Sequence, residues 1–178
     1  DRIQPEDFVM NQINNQGEYV HGIFNFSNKD KFQSSEGEMI IYNNGRCYLF
    51  TGLTSVTIGK GVTSISNYMF EGCTNLTSIT IHASVQYTGS IDNCPKFTTF
   101  EVDANNEYLS ASEDGKILYN KDKTTLKAYP SATGAVTIPS GVTTIGSSAF
   151  SYSGITSVTI PDSVITINSS AFNDCNSL

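Results

Sequence analysis

Three evenly placed cysteines, one acidic loop and two histidines are the residues of this chain whose types and spacing invite a chemical reading. Cys73, Cys94 and Cys175 each stand three residues ahead of a hydrophobe, namely Leu76, Phe97 and Leu178. A zinc site built on thiolates uses Cys-x-x-Cys pairs, and the sequence contains none, so no metal is assigned. The shared offset predicts a ladder of small buried thiols at equivalent places in a repeat, as befits one of the most buried residue types. Stacking of that kind brings Cys73 and Cys94 close enough across neighbouring coils for a bridge to be open to them. Cys47 stands outside the ladder and reads as a strand residue.

The loop Asp103-Ala104-Asn105-Asn106-Glu107, with Asp114 further on, spaces its oxygen ligands as a calcium loop does. Its sixth position, where such a loop needs glycine, is Tyr108, and its last ligand is aspartate rather than glutamate. A solvated loop is the better reading. For catalysis the inventory is poor: His21 and His82 are the two histidines, and neither His-Glu-x-x-His nor Gly-x-Ser-x-Gly occurs. Gly59-Lys60-Gly61 lacks the further glycine and the helix of a phosphate loop. No catalytic residue and no cofactor are assigned, and the chain is not expected to be an enzyme. Sequons at Asn25, Asn75 and Asn168 matter only in a eukaryotic secretory pathway.

The elements that position these residues follow from self-similarity. Leu53-Thr54-Ser55-Val56-Thr57-Ile58, Leu76-Thr77-Ser78-Ile79-Thr80-Ile81 and Ile155-Thr156-Ser157-Val158-Thr159-Ile160 are near copies. Phe97-Thr98-Thr99-Phe100-Glu101-Val102 is a looser copy, and Ala135-Val136-Thr137-Ile138 has lost its first hydrophobe. The leading positions 53 and 76 differ by 23, 76 and 97 by 21, and 155 and 178 by 23. A second apolar pair follows in three units (Val62 and Ile65, Val142 and Ile145, Val164 and Ile167), and then Phe70, Phe150 or Phe172. Each unit therefore reads as a short strand with inward Val and Ile and outward Thr, a second extended piece, and a tight helical or irregular turn about the Phe. No unit can bury its own hydrophobes, so neighbours must stack. The expected fold is a right-handed leucine-rich-repeat solenoid with a parallel β-sheet, mostly strand and irregular turn.

Val102 and Val136 are 34 positions apart, against 22 for Val136 and Val158. The surplus, at about residues 105–132, is expected to project from the coil as a β-hairpin of 115–119 and 124–129 that leans on the solenoid. Residues 1–50 do not fit the repeat. They read as a cap or small module with a short helix after Pro5, a strand over 19–26 and a hairpin around Asn43-Asn44-Gly45. Residues 51–178 form the repeat array, and because Leu178 falls on a leading position the array is expected to continue.

These residues resemble the BspA-like leucine-rich repeat family of bacterial and protozoan surface proteins. Ile160-Pro161-Asp162-Ser163-Val164 and Ser170-Ala171-Phe172-Asn173-Asp174-Cys175-Asn176-Ser177-Leu178 follow its pattern almost throughout. The segment Asp114 to Asp122 looks like the family's hairpin insertion. Departures are the short second unit, with Thr88 and Ile91 in place of Ile and Phe, a shortened turn after Phe150, and Gly61 where commoner repeats carry a ladder asparagine. The resemblance implies partner binding or adhesion at a cell surface, hence an extracellular or surface location.

Stacking aligns Thr57, Thr80, Glu101, Thr137 and Thr159 in one outward row, and Ser55, Ser78, Thr99, Ala135 and Ser157 in another. Those rows are the candidate protein-docking face, unless Thr merely suits an exposed strand. A host or matrix protein is the expected partner. A carbohydrate-binding role is the alternative, using Tyr108, Tyr119 and Tyr129 with Lys121 and Lys123 around the insertion; a structural spacer is the other. With 17 acidic against 10 basic residues, net −7, nucleic acid and anionic membranes are disfavoured as partners. No run approaches the roughly 20 apolar residues of a membrane span.

Overall fold

The computed structural model describes the backbone of 32–34 and residues 54–58, 62–65, 67 and 69–178. The expected helix after Pro5, the strand over 19–26 and the Asn-Gly hairpin lie outside the described residues. Within them the chain is a β-solenoid with no helix. The strands are β1 (Phe32–Ser34), β2 (Ser55–Ile58), β3 (Ser64–Ile65), β4 (Ser78–Ile81), β5 (Tyr87–Thr88), β6 (Thr99–Val102), β7 (Leu109–Ala111), β8 (Leu118–Asn120), β9 (Thr125–Ala128), β10 (Thr133–Thr137), β11 (Thr144–Ile145), β12 (Gly154–Thr159) and β13 (Thr166–Ile167).

The first strands of successive turns pair in parallel. Val56 aligns with Ile79 and Ile79 with Phe100; Ile58 aligns with Ile81 and Ile81 with Val102. The period of two decides the facing, so Val56 and Ile58 are buried while Thr57 is exposed. β1, a strand the repeat pattern did not foretell, pairs antiparallel with β2. The second strands stack likewise, β3 with β5 and β9 with β11 and β13.

Between coils the chain turns back through one recurring device. Gly72, Asn93, Tyr152 and Asp174, each just before Cys73, Cys94, Ser153 and Cys175, all have φ between 52° and 74°. Glycine, asparagine and aspartate tolerate that left-handed geometry best, which accounts for three of the four residues. The turn seats Cys73 and Cys94 in the interior and leaves Cys175 half-buried, and Cys94 and Cys175 are free thiols. The Cys94 Sγ–H donates to the Phe70 carbonyl at 3.2 Å, and Cys175 repeats the contact with Phe150 at 3.1 Å.

Phe70 and Phe150 are fully buried, and Phe172 is half-buried against Phe150 with ring centroids 5.1 Å apart. Each large apolar side chain so buried contributes about 1.5–3 kcal/mol. The interior is not one undivided cluster. A first cluster runs from Val56 to Leu118 and Ala128, and a second holds Tyr119, Leu126 and the residues of the last turns. The two meet at β8, where consecutive residues Leu118 and Tyr119 belong to different clusters.

The insertion corrects the expectation of a projecting hairpin. β8 and β9 pair antiparallel as the sequence suggests, with β7 on the far side of β8. Yet β9 also pairs in parallel with β11, Thr125 to Thr144 and Leu126 to Ile145. The third strand of the excursion is thus a wall strand of the solenoid. Its apolar alternation, Leu126 and Ala128 inward, can be buried only there.

Candidate functional site

The polar rows form as two patches, not one. In the first, Ser55, Ser78 and Thr99 are in register, as are Thr57, Thr80 and Glu101. In the second, Ala135 aligns with Ser157 and Thr137 with Thr159. β6 and β10 belong to different sheets, so the expected five-member rows break between Glu101 and Thr137. The cause is the insertion: the Gly115 carbonyl accepts the Phe100 N–H at 2.7 Å and occupies the edge of β6 that β10 would otherwise take. Gly115 has φ 73°, and a Cβ there would lie 2.8 Å from Thr99 Cγ2, so the close approach requires glycine.

Within the first patch the side chains are held in place. Thr80 Oγ1 donates to the Glu101 carboxylate at 3.0 Å. Behind it, Thr77 Oγ1 donates to the Thr54 carbonyl at 2.7 Å and Thr98 Oγ1 to the Thr77 carbonyl at 2.9 Å, tying each coil to the one before. The second patch is more open, with Thr137, Ser157 and Thr159 all exposed.

The residues proposed for the insertion do not form an aromatic platform. Tyr119 is 4% exposed and sits in the second core cluster, where burial raises its pKa. Tyr129 is half-buried against Phe150, centroids 5.8 Å apart, and Tyr108 alone of the three is exposed. Both faces of β8 meet a core cluster, so alternation does not turn Tyr119 outward. Lys123 is exposed, while the Lys121 ammonium donates to the Asn106 carbonyl.

Ala104, Asn105 and Glu107 of the acidic loop are exposed, as a solvated loop requires, yet the loop is anchored through one residue. Asp103 caps its own turn by accepting the Asn105 N–H at 2.9 Å, but Asn106 is completely buried. Its Nδ2 donates to the carbonyls of His82 and Val85 at 3.0 and 2.9 Å, and its Oδ1 accepts the N–H groups of Tyr108 and Leu109 at 2.8 and 2.7 Å. All four hydrogen-bonding capacities of the amide are used. A signal for this was present: Asn106 lies nine residues after Phe97, as Val62 does after Leu53 and Val85 after Leu76. An amide where other turns bury valine closes the third coil and launches β7.

Beside it, β6, β7 and the 112–115 turn enclose a groove of about 450 Å³ whose lining includes Glu101, Asp103, Glu113 and Asp114 with Lys121. The Ser112 hydroxyl, bonded at 2.6 Å, and the Lys116 N–H hold the Asp114 carboxyl below its usual range. Among the described residues no three His, Cys, Asp or Glu side chains stand together as a metal site. His82 Nδ1 is engaged by the Ser84 N–H at 3.0 Å.

The profile of the BspA type leucine rich repeat region matches residues 24–113 and 128–178, in six copies. The chain belongs to this family. The stretch left unmatched between these two segments, 114–127, contains β8 and the start of β9, so the family's regular repeat resumes where β9 rejoins the wall. Three solved structures are similar in fold. A leucine-rich repeat protein from Eubacterium ventriosum is 28% identical with TM-score 0.60, over 68% of this chain and 40% of that one. A leucine rich cell surface protein from Faecalibacterium prausnitzii is 31% identical with TM-score 0.50, over 70% and 40%. The pneumococcal vaccine antigen PcpA, 19% identical with TM-score 0.53 over 69% and 37%, shares the fold. The chain thus spans about two fifths of the length of these structures. No curated protein sequence matches it.

Proposed function

We propose that this chain is a surface-exposed binding module that docks a protein partner on its polar strand rows. The observation that carries the reading is the register: parallel pairing sets Ser55, Ser78 and Thr99 beside Thr57, Thr80 and Glu101 at strand spacing, on a sheet whose other side is core. Side chains so held lose little conformational freedom on binding, which favours a docking face over a solvated one. Membership of the BspA-type family, and likeness to a protein described as a leucine rich cell surface protein, support a location outside the cell. Among the described residues no helix is long and apolar enough to cross a membrane.

The reading assigns no catalytic residue, in keeping with a repeat family that serves mainly as binding scaffold. The buried state of Tyr119 removes the aromatic cluster on which the insertion-based glycan site depended. The test is binding to a panel of immobilised, purified extracellular-matrix proteins, comparing wild type with Thr57→Lys and Thr80→Lys. Charges placed in the row should weaken the interaction by roughly tenfold or more. If the rows accept both charges without loss, or no matrix protein binds, the docking role fails and a spacer role takes its place.

A further inference from the structure

The wall formed by the second strands has a break of its own. β3 and β5 make a two-stranded sheet, while β9, β11 and β13 belong to another, so the backbone ladder stops between β5 and β9. β9 enters from the insertion and pairs with β11 alone among the wall strands. The gap it leaves is a groove of about 370 Å³, within the size range of small-molecule sites.

Its lining is unlike the rest of the chain. Although the protein carries net charge −7, no aspartate or glutamate among the described residues lines this groove. Among the described residues its one charged side chain is Lys127, whose Nζ lies over the Tyr87 ring, 5.4 Å from its centre. Lys127 has no carboxylate partner among the described residues, and its partial burial pulls its pKa below the ordinary lysine range. An ammonium stripped of part of its water without receiving an anion gains more from one than a solvated lysine does. Tyr87 is 49% exposed, so part of its ring remains open to a ligand. Around the pair stand Asn168, Ser148 and Ser170, amide and hydroxyl groups from two successive coils.

We infer that this groove binds a carboxylate-bearing sugar, with Lys127 pairing the carboxylate, the Tyr87 ring against the sugar's C–H face, and Asn168, Ser148 and Ser170 meeting its hydroxyls. A neutral sugar leaves the ammonium unmatched, and a bare anion leaves the ring and the hydroxyls unused. The groove lies on a different sheet from the Ser and Thr rows, so it is independent of the protein-docking reading and either can fail alone.

The experiment is an amide-resolved NMR titration of the chain with sodium glucuronate and a glucuronate-containing disaccharide, beside glucose and sodium acetate. Glucuronate should shift the amides of Tyr87, Lys127, Ser148 and Asn168 and bind roughly tenfold more tightly than either glucose or acetate. Lys127→Gln and Tyr87→Ala should each weaken it by a similar factor. Unchanged shifts of the Ile79 and Phe100 amides will show that the variants fold, and Lys127→Gln carries the test by itself if Tyr87→Ala does not. No shifts in the groove up to roughly 50 mM, acetate matching glucuronate, or full affinity in Lys127→Gln would each overturn the inference.

Discussion

Replacing Asn106 by valine, the residue that other coils place at its position, should be destabilising despite the good match in size and the gain in apolar surface. The amide's four hydrogen bonds would all be lost. They are not equal in consequence. The His82 carbonyl keeps a second donor, the Val85 N–H at 3.1 Å, and the N–H of exposed Tyr108 can turn to water. The Val85 carbonyl and the Leu109 N–H belong to residues with no exposure at all and would be orphaned. At about 1–3 kcal/mol for each buried polar group left unpaired, the loss is roughly 2–6 kcal/mol. The valine side chain offsets about 1–2 kcal/mol of that by burial, leaving a net cost of about 0–5 kcal/mol, centred on about 2.5 kcal/mol. For a chain of this size the central figure corresponds to a fall in Tm of roughly 5–10 °C. Guanidinium melts followed by circular dichroism measure the cost, and amide hydrogen exchange at Leu109 reports whether β7 has come loose. Asn106→Asp sharpens the experiment, because a carboxylate facing two carbonyls is tolerated only when protonated. That variant should recover stability as the pH is lowered. A valine variant as stable as wild type, with Leu109 still protected, would refute the reasoning.

The other expectations are briefer. Phe150→Ala, at a fully buried ring packed between a tilted Tyr129 and a stacked Phe172, should cost about 3–5 kcal/mol in denaturant melts, and Phe172→Ala, at a half-buried ring, clearly less; equal costs would contradict the packing. Gly115→Ala must adopt positive φ and push Thr99 away, at a cost of about 2–4 kcal/mol, with increased exchange of the Phe100 amide. Asp92 is buried, with one oxygen bonded to the Ser90 hydroxyl at 2.6 Å and the other without a partner among the described residues. Burial, and secondarily Glu71, raise its pKa above the unfolded value, so the folded state favours the protonated acid. Its contribution to stability is therefore fullest below about pH 4 and is lost as the pH rises through the folded pKa. Asp92→Asn should gain stability over wild type between acidic and neutral pH; a constant difference across that range would count against the assignment.

Much of this architecture was legible in the sequence, because a repeat turns local alternation into global register. Val56 and Ile58 had to face inward with Thr57 outward, and a 21- to 23-residue period then stacked Ile79, Ile81 and Phe100 on them. The thiol ladder followed from the same offset. What escaped depends on pairing choices that no local pattern encodes. Thr125 to Ala128 reads as half of a hairpin, and only the alignment with Thr144 and Ile145 makes it a wall strand. That choice opens the groove beside Tyr87, while the Gly115 carbonyl on the edge of β6 splits the polar rows. Asn106 was visible by its offset from Phe97 but was masked by the acidic residues around it, whose charge suggested exposure.

The stacked-coil register is tested most directly by nuclear Overhauser contacts in the folded chain, with Val56, Ile79 and Phe100 labelled. Contacts from the Ile79 methyls to both the Val56 methyls and the Phe100 ring, alongside solvent-accessible Thr57 and Thr80 side chains, are predicted. Ile79 lacking both contacts, or Thr80 shielded in its place, would contradict the fold and the docking face built on it.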